Sequence, residues 1–140
     1  KATQEKESKA LWPEGSNILL VEDNRINQMV AKGVLSKLSM PCDIAINGQE
    51  ALDKLSNENN NFSLILMDCQ MPVMDGYEAT KNIRLGHGGV ANIEVPIVAM
   101  TANAMQGDRE KCLDAGMDDY LTKPIDKDLL LEKLCYWLNR

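Results

Sequence analysis

The sequence predicts an open α/β fold, in which a five-stranded parallel sheet is covered by helices on both faces. Short apolar runs such as Ile18–Val21 lack period-two alternation, which suits strands buried on both sides of a sheet. These runs alternate with segments of helical spacing, and such alternation leads to parallel strand pairing. Five strand–helix units are too few for an eight-fold barrel, so an open doubly wound sheet is the prediction.

The predicted strands are short runs that end at polar residues. Three of them are wholly apolar, and two weaker candidates contain an aspartate. In chain order the predicted strands are Ile18–Val21, Cys42–Ile46, Leu64–Met67, Ile97–Met100 and Asp119–Thr122.

The predicted helices lie between and after these strands. The first is predicted to carry its apolar residues on one side: Ile26, Met29, Val30, Val34, Leu35 and Leu38. The next three cover residues 49–56, 77–85 and 105–115, and Gly116 suits a left-handed helix end. The last carries a second apolar set: Leu130, Leu131, Leu134, Cys135 and Leu138.

Length and composition indicate one acidic globular domain. The 140 residues are 44% hydrophobic and 26% charged, with a formal net charge of −6. This charge disfavours nucleic-acid binding through bulk electrostatics and fits a domain that holds a cation. No apolar run approaches the ~20 residues of a membrane span, so we expect no membrane contact by this domain. No exposed apolar stripe is evident, so we expect a monomer.

The polar segment 1–16 is predicted to be a linker or tail, and residues 17–140 the folded domain. Trp12 is the candidate within the segment to dock on the domain.

The four cysteines are interpreted as reduced thiols that pack as small apolar groups. None forms a CxxC pair, and the chain has a single histidine. A zinc site and a disulfide framework are therefore disfavoured.

Polar side chains follow the predicted strands, at the sheet edge where ligands bind in open α/β folds. Taken alone, Asp68 could be a turn residue at a strand end. Glu22 and Asp23 could be carboxylates that stabilise the N-terminus of the first helix. Together, three carboxylates need a counter-charge, and hard oxygen ligands favour Mg²⁺ over zinc. An aspartate can also accept a phosphoryl group covalently. The residues after the strands are Glu22, Asp23, Asp68, Thr101, Lys123 and Pro124.

Four motifs in order resemble those of response-regulator receiver domains of two-component signalling. They are Leu20-Val21-Glu22-Asp23-Asn24, the run from Leu66 to Gly76, Val98 to Ala104, and Gly116 to Pro124. The resemblance spans about 120 of the 140 residues. It implies a flavodoxin-like sheet with the strand order 2-1-3-4-5.

The resemblance also implies roles for single residues. Asp68 is the phosphoacceptor, Asp23 a direct Mg²⁺ ligand, Glu22 a ligand through water, and the backbone carbonyl of Gln70 a further ligand. Thr101 and Lys123 bind the phosphoryl group. The Lys123–Pro124 peptide bond is cis, a form that proline makes cheap. Thr101 and Tyr120 form a switch that changes the face of the fourth helix, fifth strand and fifth helix.

We therefore expect the domain to take a phosphoryl group from a phosphohistidine of a histidine kinase domain onto Asp68. It then relays the group to a histidine phosphotransfer domain or changes its binding surface, and it catalyses its own phosphorylation and dephosphorylation. The motifs are most like the C-terminal receiver of a hybrid sensor histidine kinase, which predicts a cytoplasmic domain of a parent protein that can be membrane-anchored.

Three alternatives stay open. One is a free-standing single-domain regulator. The second is a pure interaction module with a relic metal site, against which Asp23, Asp68, Thr101 and Lys123 all count. The third is a phosphoester hydrolase, which the absence of a cap domain and of a second catalytic acid disfavours.

Overall fold

A computed structural model describes residues 12–102 and 106–139, which contain five strands and five α-helices in alternation. The strands are β1 (Ile18–Val21), β2 (Cys42–Ala45), β3 (Leu64–Asp68), β4 (Ile97–Thr101) and β5 (Asp119–Thr122). The helices are α1 (Arg25–Lys37), α2 (Gly48–Ser56), α3 (Gly76–Arg84), α4 (Gln106–Ala115) and α5 (Lys127–Leu138). Each predicted strand is confirmed to within a residue. The predicted helix start at residue 105 lies outside the described residues.

All strands pair in parallel in the order β2-β1-β3-β4-β5, which confirms the predicted topology. The register brings the carboxyl ends of the strands into line. Val21 lies opposite Met67, and Thr101 lies opposite Thr122. The residues that follow these positions therefore meet at one edge of the sheet.

The sheet separates two apolar clusters, one on each face. In β1, Leu19 and Val21 belong to one cluster, while Ile18 and Leu20 belong to the other. The first cluster also holds buried side chains of α2, α3 and α4, and the second those of α1 and α5. The strands lack polar alternation because both of their faces are buried.

Side-chain caps and one glycine define helix ends. Asn24 and Asp75 accept hydrogen bonds from the backbone N–H groups of Asn27 and Glu78, at the starts of α1 and α3. Gly116, just after α4, has φ +107°, which confirms its predicted positive-φ role.

Trp12 docks on the domain as expected. Its side chain is buried in the cluster of α1 and α5, and its Nε1 donates a hydrogen bond of 2.8 Å to the carbonyl oxygen of Leu38. The described part of the predicted linker is thus anchored at the C-terminal end of α1.

The single apolar side predicted for α1 is wrong. Ile26 and Met29 are 71% and 69% exposed, and Val30 is exposed too, whereas Leu35 and Leu38 are buried. Ile26 and Leu35 are nine residues apart, about two and a half turns, so they lie on opposite sides. The expectation of no exposed apolar stripe is therefore also wrong. None of the described helices is long and apolar enough to cross a bilayer.

Candidate functional site

A cleft of about 220 Å³ opens at the carboxyl edge of the sheet. It brings together all the site residues predicted to bind the metal or the phosphoryl group. They are Glu22, Asp23, Asp68, Gln70, Thr101 and Lys123.

Three carboxylates form the acidic part of the cleft. One ligand oxygen from each of Glu22, Asp23 and Asp68 lies within 4.8 Å of the other two. Glu22 and Asp68 are 1% and 4% exposed, whereas Asp23 is exposed. The cleft therefore contains two buried carboxylates and one that is accessible to solvent. Together they form an all-oxygen donor set, which fits Mg²⁺.

Lys123 supplies the counter-charge inside the cleft. Its Nζ lies 3.1 Å from Oε1 of Glu22 and 3.1 Å from Oδ1 of Asp68. Burial opposes the charge of Lys123, but its hydrogen bonds with Asp68 and Glu22 prevail and raise its pKa. Lys123 therefore stays an ammonium, able to bind a phosphoryl oxygen as a point charge.

The environment of Asp68 disfavours its charged form. Burial raises the pKa of Asp68 to about 6, and the hydrogen bond with Lys123 offsets only part of this effect. The nearby charge of Glu22 adds to the increase. A second cation in the cleft would relieve this repulsion between the carboxylates.

The loop after β3 holds Asp68 in place. The backbone N–H of Gln70 donates to Oδ1 of Asp68 over 3.3 Å. Val73 has φ +71° in a γ-turn closed by a 2.7 Å bond from Met74 N to Pro72 O, a strained conformation for a β-branched residue. At Gly76 a Cβ atom would overlap the carbonyl oxygen of Asp68, so this position requires glycine.

The two predicted switch residues lie on adjacent strands. Thr101 ends β4 and is buried at the cleft, while Tyr120 lies on β5 opposite Ala99. Arg109 of α4 and Lys133 of α5 each place a cationic group 5.6 Å from the Tyr120 ring centroid. Next to the cleft, the Lys123–Pro124 peptide bond is cis, the geometry that the resemblance implies.

Sequence reasoning missed residues that support the site without carrying its chemistry. Gln28 Nε2 donates a 2.7 Å hydrogen bond to the backbone carbonyl of Glu22, and Asn27 lines the cleft. Their position in the first turn of α1 was the only available signal. The close approach of Gly76 to the carbonyl oxygen of Asp68 could not be predicted from sequence, because it depends on the folded loop.

Comparison with known proteins identifies one family. Residues 18–135 match the model of the response regulator receiver domain. Histidine kinase 1 of Arabidopsis thaliana is 40% identical over 86% of this chain, and hybrid signal transduction histidine kinase I of Dictyostelium discoideum is 44% identical over 82%. The chain covers only 12% and 7% of these two kinases.

Solved structures show the same fold. The receiver domain of sensor histidine kinase PA1611 from Pseudomonas aeruginosa, with magnesium in its active-site cleft, matches with a TM-score of 0.80 and 44% identity. That match covers 90% of this chain and 99% of the other. The Saccharomyces cerevisiae Ssk1 receiver domain, solved with the histidine phosphotransfer protein Ypd1, matches with a TM-score of 0.79, 38% identity and 91% coverage of both chains.

Proposed function

Since this chain belongs to the response regulator receiver domain family, we propose that it is a phosphoacceptor, in which Asp68 takes a phosphoryl group from a phosphohistidine in a Mg²⁺-dependent step. The observation that carries the proposal is the position of Lys123, 3.1 Å from Asp68 in a cleft that also holds Glu22 and Asp23. This arrangement provides a nucleophile, a phosphoryl-binding cation and a metal site together.

In this transfer Asp68 is the one residue of the protein that forms a covalent bond with the phosphoryl group. A carboxylate oxygen of Asp68 attacks phosphorus, a P–O bond forms, and the P–N bond to the donor imidazole breaks with its electron pair going to nitrogen. Lys123 and the hydroxyl of Thr101 bind the phosphoryl oxygens and stabilise the charge that spreads over them.

The donor set fits the magnesium requirement. Asp23 and Asp68 would hold the ion directly, Glu22 through water, and Gln70 through its backbone carbonyl. Bound Mg²⁺ supplies positive charge that offsets the phosphoryl and carboxylate charges. Removal of Mg²⁺ is expected to abolish acceptance, because Lys123 alone then faces two buried carboxylates and a phosphoryl group.

The phosphoryl donor and acceptor are proposed to be a histidine kinase domain and a histidine phosphotransfer domain. The Ssk1 receiver in complex with Ypd1 supports this class of partner. Ile26, Met29 and Val30 form an exposed apolar face of α1, and Val30 also lines a small cavity with Lys123 and Pro124. A partner that brings its histidine to Asp68 would cover this face.

The hybrid-kinase context is proposed because the kinase relatives contain this domain as a small part of their length. In this proposal residues 17–140 form the receiver, and the segment 1–16, with Trp12 packed on the receiver, joins it to a cytoplasmic region of the kinase. The domain is proposed to be a monomer whose exposed α1 face is covered by the partner protein. Phosphorylation is proposed to move Thr101 and Tyr120 and so to alter the surface of α4, β5 and α5.

Phosphoramidate tests the acceptor residue without a partner, because it carries the same P–N bond as phosphohistidine. Wild type with Mg²⁺ is expected to form an acyl phosphate, measured by intact mass, and Asp68→Asn to form none. Asp75→Asn is the matched control, since asparagine also caps a helix and Asp75 caps α3. Equal labelling of wild type and Asp68→Asn would overturn the proposal.

A magnesium titration separates a live receiver from an interaction module with a relic site. Saturable NMR shifts at the cleft in wild type, weakened in Asp23→Asn, are expected. No shift in wild type would favour the interaction module.

The α1 surface is tested with Ypd1 as the partner protein. Ile26→Ser is expected to weaken binding about tenfold, because truncation of a central apolar contact costs more than 1 kcal/mol. Leu113→Ser, on the exposed side of α4, is the matched control and should bind like wild type. Equal losses in both variants would contradict docking on α1, and phosphoramidate labelling should be unchanged in both.

A further inference from the structure

Two buried thiols meet directly beside the phosphoacceptor. Sγ of Cys69, the residue after Asp68, lies 3.8 Å from Sγ of Cys112 in α4. The two residues are 2% and 1% exposed and belong to the same core cluster. The pair therefore joins the end of β3 to α4.

The other two cysteines provide an internal comparison. Cys42 on β2 and Cys135 on α5 are half-buried and pack against the cluster on the opposite face of the sheet. All four are free thiols in this structure. The sheet separates Cys42 and Cys135 from Cys69 and Cys112, so a bridge between the two sets would require disruption of the core.

The distance between Cys69 and Cys112 is short enough for a covalent bond after a small movement. A disulfide has an S–S length of about 2.05 Å, so the sulfurs must approach each other by a little under 2 Å. Rotation of the two side chains together with a shift of α4 would have to supply that movement.

Helix α4 is only lightly anchored, which gives an oxidant a route to the thiols. Among its described side chains, those that are buried are Cys112 and Ala115, while Arg109 and Lys111 contact tyrosine rings from the surface. A helix with few buried apolar contacts opens at low free-energy cost. Both thiols are buried in the closed structure, so oxidation proceeds while α4 is open.

We propose that Cys69 and Cys112 form a reversible disulfide when a peroxide oxidises them, and that this bond fastens α4 to the end of β3. One thiol is first oxidised by hydrogen peroxide to a sulfenic acid, with release of one water. The sulfur of the second thiol then attacks the sulfenic sulfur, the S–S bond forms, and a second water leaves. Two thiols lose two electrons and two hydrogens in total, and one peroxide is consumed.

The bond restrains the proposed switch, a consequence that rests on the proposed function. Tyr120 contacts Arg109 of α4, so we expect a rearrangement around Tyr120 to be coupled to a shift of α4. Oxidised protein is therefore expected to respond less to phosphorylation at Asp68. A coupling of ordinary size would weaken the response about fivefold or more.

The experiment uses Cys42→Ser/Cys135→Ser, which keeps the buried pair as its only cysteines. The protein is treated with hydrogen peroxide, quenched, unfolded, alkylated with N-ethylmaleimide and weighed by intact mass. The reduced protein should take two adducts. The oxidised monomer should take none, weigh two hydrogens less, and recover both adducts after dithiothreitol.

A control variant separates this bridge from general oxidation. Cys69→Ala/Cys112→Ala, which keeps Cys42 and Cys135, should retain two adducts after the same treatment. If oxidised Cys42→Ser/Cys135→Ser retains two adducts, gains oxygen atoms or appears as a covalent dimer, the proposal is overturned.

The regulatory effect is measured on the same protein with beryllofluoride and Mg²⁺, which mimic the acyl phosphate. NMR shifts at Thr101 and Tyr120 should require about fivefold more beryllofluoride in the oxidised form, reversed by dithiothreitol. An unchanged response would overturn the restraint on the switch. No response in the reduced form would instead refute the proposed phosphoacceptor function, while the mass measurement still decides whether the bridge forms.

Discussion

In the proposed function Asp68 is both the nucleophile and a buried charge, and these two roles conflict. The carboxylate must be ionised to attack phosphorus, yet burial and Glu22 raise its pKa to about 6. Lys123 compensates for one negative charge where two carboxylates are buried. The site is therefore electrostatically strained in the absence of a second cation, and such strain favours the binding of Mg²⁺.

The strain predicts that Asp68→Asn stabilises the fold at neutral pH. A carboxyl whose pKa is higher in the folded than in the unfolded state destabilises the fold fully above the folded pKa, and this effect vanishes below the unfolded pKa. Without Mg²⁺, the variant should be more stable by about 3 kcal/mol near pH 8. The difference should shrink as the pH falls through about 6 towards 4.

Thermal unfolding at several pH values measures this difference. Asp75→Asn serves as the control, because it removes a carboxylate near the same loop but keeps the helix cap. A variant Asp68→Asn that is less stable than wild type near pH 8 would show that the Lys123 contact outweighs burial.

The identities of the site residues could be predicted from sequence, whereas their energetic balance could not. Glu22 and Lys123 follow strands and Asp68 ends one, and parallel topology brings these strand ends together. The sequence contains no information on how deeply each carboxylate is buried, or that Lys123 bridges two of them. Those features decide the pKa of Asp68 and appear only when the loops are folded.

Helix α4 and strand β5 meet at Tyr120, which contacts cationic groups from both flanking helices. Lys133 of α5 is held in turn by a 2.8 Å ion pair with Asp119. Burial opposes the charge of Asp119, but hydrogen bonds from Lys133, Trp137 and the backbone prevail and lower its pKa. The Tyr120 ring is thus restrained by contacts from α4 and α5, the elements of the proposed output surface.

Removal of one restraint should ease the switch. Arg109→Gln is expected to lower the beryllofluoride concentration for half-maximal NMR shifts about two- to fivefold, since an exposed cation–π contact contributes ~0.5–1 kcal/mol. Lys111→Gln removes a similar contact, to Tyr77, and should have less effect. Equal effects in both variants would attribute the change to looser docking of α4 and not to Tyr120.

Secondary structure could be predicted where the apolar residues of a strand or helix follow a single pattern. Strands such as β3 are apolar up to a charged last residue, so their limits could be predicted to within a residue. The prediction of a single apolar side was wrong for α1, because the apolar residues of this helix lie on two faces. Ala31, Leu35 and Leu38 pack on the sheet, while Ile26 and Met29 point to solvent near the cleft.

At the scale of the whole molecule, the sheet has one core cluster on each face. Trp12 of the N-terminal segment belongs to one of these clusters. Trp12 closes the cluster of α1 and α5, although it lies before the predicted domain start at residue 17. We therefore expect Trp12 to contribute to domain stability as a core residue does.

Trp12→Ala should lower the free energy of unfolding by about 3 kcal/mol, as for other buried tryptophans. Chemical denaturation measures this loss. Phosphoramidate labelling of the folded variant should match wild type, because Trp12 contacts the end of α1 distant from the cleft. A loss below about 1 kcal/mol would show that the segment is only a tether.

The positions of the two tryptophans give the protein a pair of optical reporters that observe different events. The indole of Trp12 donates a hydrogen bond to Leu38, about 20 Å along α1 from the cleft. The indole of Trp137 instead donates to the carboxylate of Asp119, the residue before Tyr120. Trp12→Phe leaves Trp137 as the single tryptophan, and its emission is expected to follow rearrangement between β5 and α5. Trp137→Phe leaves one whose emission follows release of the N-terminal segment. The two spectra can therefore distinguish a rearrangement beside Tyr120 from the release of Trp12.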